Sequence, residues 1–163
     1  MSQEKIFLDP HQLAARLGEL RAEGRRIVTA NGCFELLHVG HIRYLEAARA
    51  LGDVLVVAVN TDASMRRIKP DRRPVNADTD RFELIAALHV VDFVVPLDDD
   101  TPVSLLELLR PHVHTKGTDY EIERIPEREV VERHGGRIEL VGGPKIRNTT
   151  DMLRSLRQTK LMS

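Results

Sequence analysis

Two histidines three residues apart, His38 and His41, stand with Gly40 where a glycine-bearing loop gives way to a helical pattern. The stretch 26–51 reads as an apolar strand (Ile27, Val28) that delivers Asn31-Gly32-Cys33-Phe34-Glu35, then His38-Val39-Gly40-His41, to the start of a helix. A helix start offers free amides and the positive end of the backbone dipole, so it favours phosphate. Two imidazoles at that spacing can point toward one phosphate and, as donors, stabilise the extra charge on phosphorus in a transition state. The other readings are a zinc pair or two unrelated surface histidines. Zinc asks for His-Glu-x-x-His spacing or further thiolate or carboxylate ligands close by, and this stretch carries neither pattern.

A second set lies near the end of the chain. Asn148-Thr149-Thr150-Asp151 has a natural N-cap in Asn148, with Asp151 placed to return the capping bond. This is either a well-capped helix or, preceded by Gly142-Gly143 and the cations Lys145 and Arg147, a grip for a β- or γ-phosphate. Lys116 sits where a strand stops, and Lys69, Arg73 and Arg81 flank a basic stretch; each is either a solvated surface cation or a partner for phosphate oxygens. Cys33 reads as a small packing residue, and His11, His89, His112, His114 and His134 as structural or solvated. Neither a Walker loop nor Gly-x-Gly-x-x-Gly occurs, which weakens an ATPase or dehydrogenase reading.

The elements that must position these residues alternate. Asp9-Pro10 predicts a helix start, and Leu13, Ala14, Leu17 and Leu20 share a face until Gly24. After the first strand, Ile42, Leu45, Ala48 and Leu51 mark a helix closed by Gly52, and residues 54–59 form an unbroken apolar run ending at Asn60. Residues 64–74, with Arg66, Arg67, Lys69, Arg72 and Arg73, read as a basic, mostly irregular loop. Asp78 is expected to cap a helix bearing Phe82, Ile85 and Ala86; residues 90–95 are strand-like, and Thr101-Pro102 starts a helix stopped at Arg110-Pro111. Strands follow at 112–116 and 137–141, a helix at 125–134 and a last helix at 148–157. This is an α/β pattern: a Rossmann-like, doubly wound parallel sheet of about five strands with helices on both faces. In such sheets ligands bind beyond the carboxyl ends of the strands, and residues 31–41, Asn60, Lys116-Gly117 and residues 142–150 all fall there.

With 163 residues the expectation is a single domain over 1–163, residues 1–25 supplying a helix before the first strand. Lys plus Arg (24) nearly balance Asp plus Glu (25), so no global field holds a nucleic-acid backbone, and with no Trp there is little to stack bases on. No apolar run approaches a membrane span and no signal peptide is legible, so the expectation is a cytoplasmic chain without nucleic-acid or membrane partners. The lone Cys33 excludes an internal disulfide and makes no thiolate metal site by itself.

The segment Gly32-Cys33-Phe34-Glu35-Leu36-Leu37-His38-Val39-Gly40-His41 resembles the signature of the cytidylyltransferase-like nucleotidyltransferases, Gly-x-Phe-Asp-x-x-His-x-Gly-His. The resemblance is closest to the bacterial D-glycero-β-D-manno-heptose 1-phosphate adenylyltransferases, which make ADP-heptose for lipopolysaccharide core or surface-layer glycans. It extends over roughly residues 13–156 and includes Val57-Ala58-Val59-Asn60-Thr61-Asp62-Ala63-Ser64, Arg73-Pro74-Val75-Asn76, Asp80-Arg81, Thr101-Pro102 and Lys116-Gly117-Thr118-Asp119-Tyr120.

The resemblance implies transfer of AMP from ATP, with Mg2+, to a sugar 1-phosphate by direct in-line attack, and families of this kind commonly form homodimers. Positioning and charge stabilisation suffice for such a transfer, so no side-chain nucleophile is required. It implies catalytic roles for His38, His41, Lys116 and Arg81. Nucleotide binding would fall to Asn31, Gly32, Cys33, Phe34, Gly40, Lys69, Asn148, Thr149 and Thr150, and acceptor binding to Glu35 and Asp119. The chain departs from the family's usual residues at Glu35 (Asp), Thr79 (Glu), Thr118 (Gly) and Asn148 (Ser). Two alternatives stand beside this reading: a cytidylyltransferase acting on glycerol 3-phosphate or another alcohol phosphate, and a nucleotide-binding module without catalysis.

Overall fold

Asp9 accepts a hydrogen bond from the His11 amide at 2.9 Å and Pro10 follows at the first helical position, so α1 (Pro10–Ala22) begins where the sequence predicts. The computed structural model describes residues 1–69, 74–144, 151, 152, 154 and 155. The order after α1 is β1 (Ile27–Gly32), α2 (Val39–Arg49), β2 (Val54–Asn60), α3 (Asp62–Ile68) and α4 (Asp78–Ala86). It continues with β3 (Phe93–Leu97), α5 (Val103–Leu109), β4 (Val113–Gly117), α6 (Arg128–Arg133) and β5 (Arg137–Val141). The five strands pair in parallel in the order β3-β2-β1-β4-β5. This is the expected Rossmann-like sheet. Its strand order reverses between β1 and β4, which opens a crevice at their carboxyl ends.

Alternation along the strands builds the two faces. Ile27, Val54, Val56, Ala58 and Val95 pack under Leu13 and Leu17 of α1 and Leu105 and Leu109 of α5. Their neighbours Val28, Ala30, Leu55, Val57, Val59 and Val94 pack under Leu45 and Ala48 of α2 and Phe82 and Ile85 of α4. All seven residues of β2 are buried, as its unbroken apolar run requires. The start of the chain guards one edge: Ile6 bridges Val94, the Phe7 amide donates to the Val94 carbonyl at 2.9 Å, and the Phe7 and Phe93 rings meet edge to face.

Four elements differ from the sequence reading. Residues 64–68 are the body of α3, whose N-cap Thr61 accepts from the Ser64 amide at 3.1 Å, so the irregular loop expected over 64–74 is helical in its first part. β3 spans Phe93–Leu97 where 90–95 was expected, because the Asp92 carboxylate takes the Leu55 amide at 2.8 Å before the ladder starts; Pro96 is tolerated because β3 is an edge strand. The helix expected over 125–134 begins only at Arg128, behind a 3-10 turn (Ile122–Arg124), because Pro126 holds Ile125 extended. Asp78 is the first residue of α4 and not its cap; its carboxylate receives the Asp62 amide at 3.0 Å. Most of the helix expected over 148–157 lies outside the described residues.

Candidate active site

β1 ends in Asn31-Gly32, and the chain then turns through Phe34, whose φ of 47° lies in the left-handed region. A Cβ on Gly32 would meet the Phe34 ring at 3.1 Å, so a side chain there would press on this turn. Past the turn, His38 is the N-cap of α2 and His41 lies one turn on, its amide donating to the His38 carbonyl at 2.9 Å. The two imidazoles stack with centroids 3.8 Å apart and 24° between their planes, and the Phe34 ring abuts His41 edge-on at 5.1 Å.

Burial first, then the neighbouring His38 and Lys69 charges, pushes His41 down to about 4, so its ring is neutral at pH 7. Its Nδ1 is buried without a hydrogen-bond partner. A neutral imidazole stacked on a second one, at a helix start with an unused nitrogen, is prepared to gain a proton and a partner when an anion arrives.

This pair lines a cleft of about 710 Å³ at the crevice between β1 and β4. The cleft collects Asn31, Gly32, Cys33, Phe34, Glu35, His38, Gly40, His41, Lys69, Lys116 and Asp119, eleven of the residues singled out in the sequence. Asn148, Thr149 and Thr150 lie outside the described residues. Lys69 follows α3 and faces the loop, where its charge acts on both His41 and Cys33. Burial pushes the Cys33 thiol up, and its Sγ sits 3.7 Å from Asn60 Oδ1, so it packs and is not an activated nucleophile.

Arg81 stands elsewhere than the sequence reading put it. It is fully buried behind the loop and does not line the cleft. Its guanidinium donates to the carbonyls of Cys33 (2.6 Å), Asn60 (2.7 Å) and Asn76 (3.2 Å) and to Asp62 Oδ1 (2.8 Å). Arg81 therefore ties the phosphate-type loop to the end of β2 and the start of α3: a positioning residue in place of the expected phosphate contact. The planar fork of arginine suits four converging acceptors as a lysine would not.

Glu35 is among the residues lining the cleft but is almost wholly buried, 2 % exposed, and neither of its buried carboxylate oxygens has a hydrogen-bond partner. Burying a carboxylate this way is costly unless something in the working site completes it. Lys116, also in the cleft lining, is paired with Glu127, a residue the sequence reading passed over because it falls inside the run expected to be a continuous helix. A proline followed by an acid is a legible helix start, and Pro126-Glu127 carries that signal.

A parallel doubly wound sheet with a His-x-Gly-His loop at its crevice is the arrangement that the resemblance to the cytidylyltransferase-like proteins implies. The comparisons agree: the cytidylyltransferase-like family model matches residues 29–154, and the chain belongs to that family. It is 47% identical over 144 residues to the bifunctional protein HldE of Geobacter sulfurreducens (88% of this chain, 29% of that protein) and 49% identical over 145 residues to that of Geotalea uraniireducens (89% and 30%). The chain thus spans about 30% of the length of these relatives. Among solved structures, a lipopolysaccharide core biosynthesis protein from Thermoplasma volcanium aligns with a TM-score of 0.61 at 30% identity, covering 72% of this chain and 95% of that one. Pantoate-beta-alanine ligase from Francisella tularensis, solved with β,γ-ATP and β-alanine, shares the fold at 14% identity and a TM-score of 0.60, over 93% of this chain and 76% of its own. No helix among the described residues is long and apolar enough to cross a membrane.

Proposed function

We propose that this chain, as one catalytic domain over residues 1–163, transfers the adenylyl group of ATP to a sugar 1-phosphate, with D-glycero-β-D-manno-heptose 1-phosphate as the acceptor. The observation that carries the reading is the stacked His38–His41 pair at the start of α2, on the wall of a cleft at the reversal of strand order. A phosphate oxygen of the acceptor attacks the α-phosphorus of ATP in line, the bond from that phosphorus to the bridging oxygen breaks, and pyrophosphate leaves with the electron pair. The products are ADP-heptose and pyrophosphate. His38 and His41 hold the triphosphate and, protonated or donating, stabilise charge that grows on the α-phosphoryl group. The backbone of residues 31–34 and the cation of Lys69 hold the remaining oxygens, and Thr149 and Thr150 are nucleotide-binding residues of the same reading. Glu35 and Asp119 face the acceptor.

Magnesium accompanies ATP in this reading. No three His, Cys, Asp or Glu side chains converge on a metal position among the described residues. The ion would take its oxygens chiefly from the phosphates and water, as magnesium usually does, and the uncompleted Glu35 carboxylate has chemistry suited to such an ion. It supplies charge neutralisation on the triphosphate. The reaction belongs in the cytoplasm, where ATP and sugar phosphates are available.

The relatives' HldE name and the lipopolysaccharide description of the Thermoplasma volcanium neighbour support this substrate class. Pyrophosphate release with ATP or CTP against heptose 1-phosphate, other sugar 1-phosphates and glycerol 3-phosphate tests it. Turnover is expected with ATP and heptose 1-phosphate. Turnover only with CTP and glycerol 3-phosphate, or ATP binding with no acceptor consumed, overturns it.

A further inference from the structure

Lys116 is a buried cation of the cleft lining, 8 % exposed, yet its charge is already paired. Its Nζ lies 2.6 Å from Glu127 Oε1 and donates to Asn31 Oδ1 at 3.0 Å, so two of its three N–H groups are taken. Glu127 is 3 % exposed, and its second oxygen, Oε2, is buried without a hydrogen-bond partner. Both residues line the cleft, as do Thr118 and Tyr120, and the Lys116 Nζ lies 5.4 Å from the centre of the Tyr120 ring.

This arrangement is unsuited to a phosphate. A lysine that clamps phosphate presents an uncompensated charge, whereas Lys116 is neutralised at contact distance, and Glu127 Oε2 would repel an anion. What remains is one N–H donor beside one carboxylate acceptor in a secluded wall. A hydroxyl both donates and accepts, so neighbouring hydroxyls of a sugar ring satisfy the pair where a phosphate or an apolar group would not. The vacant oxygen of Glu127 also needs such a donor, because a buried carboxylate left half-bonded is costly.

We propose that Glu127, held by Lys116 and Asn31, is an acceptor-recognition residue whose Oε2 takes a hydrogen bond from a ring or side-chain hydroxyl of the sugar 1-phosphate. The inference rests on the proposed function and deepens it: the phosphate end of the acceptor goes toward the histidines, and its polyhydroxylated body goes to the Lys116–Glu127 wall. Sites built to bond a hydroxyl discriminate strongly against analogues that lack it, because the protein group is then left unpaired.

The test is steady-state kinetics of the wild-type chain, Glu127→Gln and Glu127→Asp, with the sugar 1-phosphate found active and with its monodeoxy analogues. Gln keeps an oxygen for Lys116 but replaces the charged acceptor with a neutral N–H₂, from which the hydroxyl can only accept a weaker bond; Asp keeps the charge and withdraws the carboxylate by one methylene, and it carries the test if Gln fails to give a cooperative melt. The expected result is an acceptor KM raised by about 10- to 100-fold, the size of a lost charged hydrogen bond, with the KM for ATP within about 2-fold, a margin too small for such a bond. One deoxy analogue should lose a similar factor against the wild type and lose nothing further against the variants, the non-additivity that marks a direct contact. A merely structural role would move both KM values or only the melting temperature. Unchanged acceptor KM in folded variants, or fully additive losses with every deoxy analogue, overturns the assignment and leaves the proposed function standing. Wild-type turnover of glycerol 3-phosphate alone overturns both.

Discussion

The imidazole of His41 lies 3.8 Å from that of His38, nearly parallel to it, and is held neutral by burial and by its neighbours' charge. An anion bound against the edges of this stacked pair reverses the balance, because a phosphate favours the protonated form that burial disfavours. In a histidine-resolved NMR titration, His41 should titrate near 4 in the free protein and shift upward by a unit or more on adding ATP. A His41 resonance that titrates identically with and without ATP would remove the ring from the phosphate site.

The same pair sets the kinetic expectation. His41→Ala should lower kcat by about 10²- to 10³-fold, the usual consequence of removing one donor to a developing oxyanion, while the urea midpoint stays close to that of the wild type. A loss confined to the KM for ATP, with kcat intact, would mean that His41 binds ground state and transition state alike.

Arg81 makes a different demand. Its four bonds reach Cys33, 48 residues away, and Asn60, 21 residues away, so its removal orphans carbonyls in two elements at once. Arg81→Lys should destabilise the fold by about 3 kcal/mol, in the range for breaking a buried charge network, as read by urea unfolding, and should weaken ATP binding only as a consequence. Were Arg81 instead a phosphate contact, the same variant would keep its unfolding midpoint and lose affinity alone.

These bonds show where sequence reading stopped. The capped start of α1, the buried run of β2 and the His-x-Gly-His turn were legible because each is decided within a few residues, by a cap, by apolar continuity, by a loop before a helix. Arg81 looked like a cation for phosphate because the sequence shows its charge and not the carbonyls converging on it. α3 was missed because its two arginines dominated the composition of a helix only seven residues long, while its cap, Thr61, sat five residues before the first of them. Glu127 was hidden by apolar spacing that continues a helix through 125–134, although Pro126 holds Ile125 extended and cuts that helix.

Stability should fall on mild acidification. Burial, and then the Lys116 charge, pushes the wholly buried His114 down to about 3; its Nδ1 lies 2.8 Å from Thr29 Oγ1 and its Nε2 has no partner. The unfolded chain protonates this ring near 6.5 and the folded chain does not until about 3, so between those values the unfolded state binds more protons and stability rises with pH. His41 acts in the same direction between about 4 and 6.5. Urea unfolding should therefore show a loss on the order of 2 kcal/mol from His114 alone between pH 7 and pH 5, at the slope of one proton. A flat profile over that range would show that His114 meets a proton acceptor in solution.

Thr118 occupies a position where the family usually has glycine, and its hydroxyl donates to the Gly143 carbonyl at 2.7 Å. That bond joins the loop after β4 to the loop after β5 at the mouth of the cleft, next to Asp119 and Tyr120. Thr118→Gly removes the tether and frees the backbone, which together should cost about 1 to 2 kcal/mol and raise the acceptor KM severalfold, since the loop must then be ordered by the substrate itself. Thr118→Ser keeps the hydroxyl and should behave like the wild type in both measurements. If Thr118→Ser behaves like Thr118→Gly, the methyl group and not the tether shapes the pocket; if Thr118→Gly lowers the acceptor KM, the threonine narrows the mouth against the substrate instead of organising it.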